Sequence, residues 1–187
     1  MKVRGGKNII LYISSMKKWL PAILLLITTL THAQNEFAAT AFYNEFRKIY
    51  SDAQNGFAIN KGDKKMNGLD DLFSEYACKL SLPLADSCKL VFPVNGTPYV
   101  VYYFEAGKGR LKVDQRGLNL REAIVTAFGQ PLYARTESVV REEKVFSSTY
   151  FYMIPEEEDK KKALFKSSIY QQNGLYYLTF EIRGRSL

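Results

Sequence analysis

The chain has 187 residues, 47% of them hydrophobic and 24% charged, ordinary globular values that exclude wholesale disorder. Its formal charge of +7 invites a nucleic-acid reading, but residues 1–33 hold five basic side chains (Lys2, Arg4, Lys7, Lys17, Lys18) and no acidic one, so the other 154 residues carry only +2. The one His (His32) and the one Trp (Trp19) also lie in that leading segment, and a chain that loses it has neither.

Met16-Lys17-Lys18 is a basic start, Trp19 to Leu30 a twelve-residue apolar run, and Thr31-His32-Ala33 a small-residue site for a peptidase. That order is the recipe of a secretory signal peptide, with cleavage expected after Ala33 and export to the periplasm or the extracellular space. The run is short of the roughly 20 apolar residues that span a bilayer. An uncleaved anchor and a buried N-terminal helix are the weaker alternatives. Residues 1–15, ahead of the more conventional start at Met16, read as a mis-called extension. No Cys precedes Cys78, which excludes a lipid-modified Cys at the cleavage point. Cys78 and Cys88 are expected to form a disulfide across a short loop, as exported thiols tend to oxidise, with two buried free thiols as the alternative.

Residues 36–53 read as an amphipathic helix. Phe37, Ala38, Ala41, Phe42, Phe46, Ile49, Tyr50 and Ala53 recur at three- and four-residue steps, with Glu45, Lys48 and Asp52 on the other side. Asn35 is placed to cap its start, and Asn55-Gly56 to stop it. Lys61, Lys64 and Lys65, interleaved with Gly62, Asp63 and Gly68, read as a solvated loop. Residues 69–82 fit both a helical stripe and a half-buried strand; the better reading is a helical turn at 69–73 and a strand at 75–82, ended by Pro83.

Residues 88–94 and 98–105 flank Asn95-Gly96, which predicts a two-residue hairpin pairing Phe92 with Tyr99 and Leu90 with Val101. The run Tyr99 to Phe104 is apolar on both faces, as a central strand is. Gly107-Lys108-Gly109-Arg110 reads as a basic loop, and 119–128 as a second helix with Asn119 and Glu122 at capping-box spacing and Gly129 then Pro131 as its stop. Strands follow at 137–141 and 145–154, then a charged connection at 156–162. Strands 164–170 and 175–183 flank Asn173-Gly174, pairing Lys166 with Glu181, Ser168 with Thr179 and Tyr170 with Tyr177. No internal repeat or linker is visible beyond residue 33. The expectation is a single α+β domain over 34–187, two main helices packed on one face of a mostly antiparallel sheet of about six strands.

Without imidazole, Ser-His-Asp and Cys-His catalysis and His-ligated zinc are unavailable to the exported chain. GxSxG, HExxH, CxxC and GxxxxGK[ST] are absent, so no cofactor and no metal are expected. Glu156 to Asp159 lack the alternation of a calcium loop. Carboxylates remain: Glu105, Glu137 and Glu181 lie on or near strands, and a glycosidase would need two of them across a cleft. Asn95-Gly96-Thr97 matches a glycosylation sequon, but a turn already accounts for it. Twelve Phe and twelve of thirteen Tyr follow residue 33. Tyr102, Tyr150, Tyr152 and the Tyr170–Tyr177 pair are candidates for the uncovered sheet face, where tyrosine either marks an interface or merely stabilises the sheet by cross-strand contact. The leading expectation is an exported, non-enzymatic module that binds an envelope protein or small ligand through that face. It has no nucleic-acid partner and meets a membrane only through its signal peptide. A carboxylate-dependent hydrolase of envelope glycan or peptide, and a structural subunit of an envelope assembly, are the alternatives.

Overall fold

The computed structural model describes residues 35–185 except 67, 70, 142, 143, 156 and 158, and of 105, 106, 140, 141, 144 and 145 the backbone alone. The signal-peptide reading falls outside the described residues. Helix α1 is Thr40–Gln54, and it buries Phe42, Phe46, Ile49 and Ala53. It starts later than its apolar spacing predicts, because Asn35 organises a separate turn ahead of it. The Asn35 side-chain oxygen accepts from the Phe37 amide at 3.0 Å, and its Nδ2 donates to the Asn119 carbonyl at 2.8 Å. Gly56 and Phe57, both at positive φ, turn the chain after α1 and return the Phe57 ring to the core.

The strands are β1 (Lys61–Lys65), β2 (Phe73–Cys78), β3 (Ser87–Pro93), β4 (Tyr99–Gly107), β5 (Tyr133–Arg141), β6 (Lys144–Tyr152), β7 (Phe165–Gln172) and β8 (Leu175–Arg183). They form one antiparallel sheet in the order β1-β2-β3-β4-β8-β7-β6-β5. Helix α2, Arg110–Phe128, joins β4 to β5. The fold is α+β with eight strands rather than about six. One extra strand is β1, a lysine-rich edge that has no apolar alternation to betray it; charge at such an edge discourages pairing with another sheet.

The strand order is a palindrome. Helix α1 leads into the meander β1–β4, α2 leads into the meander β5–β8, and the closing strands β4 and β8 pair at the centre. One helix-plus-four-strand plan is used twice, with no repeat in the sequence.

Helix α2 begins nine residues before the predicted Asn119. Its first half hides because Gly117 sits where an apolar side chain would complete the stripe. A Cβ there would stand 3.1 Å from Ile169 Cδ1, so the missing side chain lets the helix lie close on β7. A mid-helix Gly costs about 1 kcal/mol. Burying Leu120 and Ile124 on the same helix returns about 1.5–3 kcal/mol each, so the helix runs through. Gly129 stops it in the left-handed region, as its position implies. Arg47 Nε, from α1, donates to the Ala127 carbonyl at 2.7 Å and satisfies one of the open acceptors at that end.

Asn173 and Gly174 both have positive φ, and the β7–β8 register matches the predicted pairing of Lys166 with Glu181, Ser168 with Thr179 and Tyr170 with Tyr177. The β3–β4 hairpin differs by one residue: Leu90 faces Val100, and Val91 faces Tyr99. Pro93 and Pro98 have no N–H to give the ladder, so the connection widens to residues 94–98 and neither Asn95 nor Gly96 adopts positive φ. That register sends Val100, Tyr102 and Phe104 to the covered face. There they join Leu178, Phe180, Ile182, Phe165 and Phe151 beneath the helices.

Asp52, expected on the solvent side of α1, is only 2% exposed. Its two carboxylate oxygens accept from the amides of Ile59 (2.9 Å) and Asn60 (2.8 Å), and the Asn60 side-chain oxygen accepts in turn from the Leu80 amide at 2.8 Å. A buried carboxylate is tolerable because backbone donors replace its water.

Candidate functional site

The sheet's second face carries β3, β4, β8 and β7 side chains that alternate with the core: Lys89, Tyr99, Val101, Tyr103, Tyr177, Thr179, Tyr170 and Lys166. All are half-exposed, and among the described residues no helix packs over them. Tyr170 and Tyr177 face each other across β7 and β8 with ring centroids 5.4 Å apart and planes 18° from parallel. Tyr103, opposite Thr179 in the β4–β8 register, is the diagonal neighbour of Tyr177, so the three tyrosines lie side by side on three adjoining strands; burial, then Tyr103 and Tyr177, pushes the Tyr170 phenol up. Lys89 Nζ lies 5.9 Å from the Tyr103 ring.

The other tyrosines singled out in the sequence are placed differently. Tyr102 is on the helix-covered face, fully buried, with its hydroxyl donating to the Leu80 carbonyl at 3.3 Å. Burial pushes its phenol far up. A strand apolar on both sides does not announce which side is covered, and that ambiguity misplaced Tyr102. Tyr150 and Tyr152 do lie on the second face, but they are 9% and 3% exposed and cluster with Ala163. The connection through the 3-10 turn Lys160–Lys162 folds over them, and Lys160 and Lys166 each hold an ammonium 5.7 Å from the Tyr150 ring. The uncovered aromatic cluster is therefore Tyr103, Tyr170 and Tyr177.

The three candidate carboxylates do not converge. Glu137 Oε2 is 2.6 Å from Lys160 Nζ, and Glu181 Oε1 is 2.6 Å from Arg183 Nε. Two strands separate β5 from β8, which sets Glu137 and Glu181 about 14 Å apart across the sheet, beyond any glycosidase spacing. Glu105 faces Tyr177 in the β4–β8 register, four residues from Glu181, or about 13 Å along the strand. The Glu105 side chain lies outside the described part. Among the described residues no three His, Cys, Asp or Glu gather in a way that would hold a metal ion.

Cys78 and Cys88 are both free thiols in this structure. They are nonetheless neighbours. The β2–β3 register pairs Tyr76 with Leu90, and two residues further the same register sets Cys78 opposite Cys88. A hydrogen bond from the Cys78 thiol lowers the Cys88 pKa, helped by the Lys65 ammonium and opposed by burial. The same bond, then burial, then the Cys88 charge raise that of Cys78.

A further concavity of about 200 Å³ lies between α2 and the helix-side face of β5, β6 and β7. Asp114, Gly117, Leu118 and Arg121 form one wall, and hydroxyl side chains form the floor. Arg121 Nη2 donates to Thr149 Oγ1 at 2.8 Å and to Thr136 Oγ1 at 3.3 Å. The sequence carries a signal for this place that pattern reading passed over: Thr136, Ser147, Thr149 and Ser167 occupy inward positions on three adjoining strands, where apolar residues are the rule.

Comparison with known proteins adds little. No protein-family model matches the chain, and no curated protein matches it. The chain is similar to the solution structure of cyanobacterial PsbP (CyanoP) from Synechocystis sp. PCC 6803, at 12% identity over 70% of this chain and 84% of that one, with a TM-score of 0.40. A likeness that distant carries no argument about fold or role. No helix among the described residues is long and apolar enough to cross a membrane.

Proposed function

We propose that this chain is an exported, non-catalytic binding module that holds an envelope protein on the uncovered face of its sheet. The observation that carries the reading is the half-exposed cluster of Tyr103, Tyr170 and Tyr177 on the central strands of that face, with Lys89 beside Tyr103. Tyrosine joins a large apolar area to a polar tip and loses few rotamers when bound, so a rigid sheet displaying several is built for recognition. The leader with its basic start and apolar run supports export, as does the lack of any His beyond residue 32 for a role without imidazole chemistry. In an oxidising compartment the facing pair Cys78 and Cys88 closes as a disulfide.

The test is affinity capture from the protein's own envelope with the immobilised exported form, read by quantitative mass spectrometry. A Tyr170→Ser, Tyr177→Ser double variant is expected to retain its fold, since a cross-strand pair contributes only about 0.2–1 kcal/mol. It should lose the captured partner by about tenfold or more. Lys48→Glu, on the exposed side of α1, should change nothing. Equal recovery by the double variant overturns the reading.

A further inference from the structure

We propose that the groove between α2 and β5–β7 is a binding site for a small carboxylate with an apolar tail, received by Arg121 and the threonine pair Thr136 and Thr149. The inference rests on a count of donors and acceptors. Arg121 Nη2 gives hydrogen bonds to both threonine oxygens, and the two hydroxyls lie 2.9 Å apart, so one of them donates to the other. Each hydroxyl brings one proton. With one of the two protons used between them, the other has no acceptor inside this trio. Arg121 Nε is buried and has no hydrogen-bond partner either. The cluster thus holds surplus donors and a fixed positive charge under a hydroxyl-lined floor.

An unmatched buried donor is costly, and the group that would satisfy it best is an anionic oxygen. Carboxylate fits a guanidinium edge in geometry as well as charge. Asp114, on the same wall, does not fill the need: its Oδ2 lies 3.5 Å from Arg110 Nε, and Arg121 Nε is left without a partner. Leu118 and Ile169 complete the lining, so a bound acid would set its polar end toward Arg121 and an aliphatic tail against these two. The size of the concavity, about 200 Å³, suits a molecule of a few carbons rather than a polymer.

The site is separate from the tyrosine cluster, which is on the opposite face of the sheet, so either proposal can fail alone. Isovalerate is a suitable probe, isovaleramide its uncharged counterpart, and inorganic phosphate the general anion. Nuclear magnetic resonance titration of the exported protein should show saturable shifts at Thr136, Thr149 and the Arg121 Nε–H signal with isovalerate and none with the amide. Arg121→Gln should weaken binding about ten- to hundredfold, the range of a lost charge-assisted contact. Thr136→Val, at a more exposed position and less exposed to misfolding, should weaken it several-fold. Shifts that the amide reproduces, that phosphate matches in affinity, that survive both variants, or that never saturate overturn the proposal.

Discussion

Replacing Asp52 by Ala tests how the turn after α1 is held. The carboxylate accepts two backbone amides, those of Ile59 and Asn60, and the second of these bonds is buried. In the alanine variant the Asn60 amide is stranded in the interior at about 1–3 kcal/mol, and the part-buried Ile59 amide adds about half as much. A small gain opposes this: Asp52 lies in the last turn of α1, where negative charge meets the negative helix end, and its removal returns about 0.3–1 kcal/mol. The net expectation is a loss of about 1–3.5 kcal/mol, a fall in Tm of roughly 2–14 °C for a domain of this size. Urea unfolding of the protein measures it. Asp52→Asn keeps one acceptor oxygen and should fall between wild type and Asp52→Ala. A loss under about 0.5 kcal/mol in the alanine variant would refute the argument, because that is what an ordinary surface change produces.

Gly184→Ala should destabilise by about 1–3 kcal/mol, since the new Cβ would stand 2.9 Å from Phe57 Cε2 and 3.0 Å from the Ala53 carbonyl oxygen, a backbone atom that cannot swing aside; unchanged thermal unfolding would count against the packing described for the C-terminal strand. Of the two thiols, Cys88 should be alkylated first in the reduced protein, and its rate should fall in Lys65→Gln as the supporting charge is lost; faster alkylation of Cys78 contradicts the assigned direction. Purified from its native compartment without reductant, the protein should weigh two hydrogens less than its reduced form, and two titratable thiols there would dismiss the bridge. The exported polypeptide should begin at Gln34, and terminal sequencing that finds His32 still attached removes the export argument.

How much of this was legible depends on whether a local rule met a tertiary one. The β7–β8 hairpin could be read to the residue, because Asn173-Gly174 satisfies the turn and both faces alternate sensibly. The same dipeptide at Asn95-Gly96 misled by one position, because two flanking prolines withhold the N–H groups that a tight ladder needs. The first half of α2 was invisible because a glycine there serves close approach to Ile169, and approach leaves no apolar signature. Strand β1 has no apolar alternation to read, since its lysines describe an edge and not a core. Asp52 reads from the helical period as a solvent-facing charge; its burial depends on amides seven and eight residues away, which no helical period reveals. Alternation implies a sheet face away from the core, and Tyr170 and Tyr177 are opposed across it as their turn predicts. Its true extent waited on knowing that the helices cover Tyr102 and that the Lys160–Lys162 connection covers Tyr150 and Tyr152.

Recognition on the uncovered face is tested most directly by site-specific photocrosslinking in the native envelope. A photoreactive side chain in place of Thr179 or Val101, both beside the tyrosine cluster, should capture one protein of defined mass, and the same group in place of Lys48 on α1 should capture none. Equal adducts from all three positions, or none from the sheet, would contradict the account.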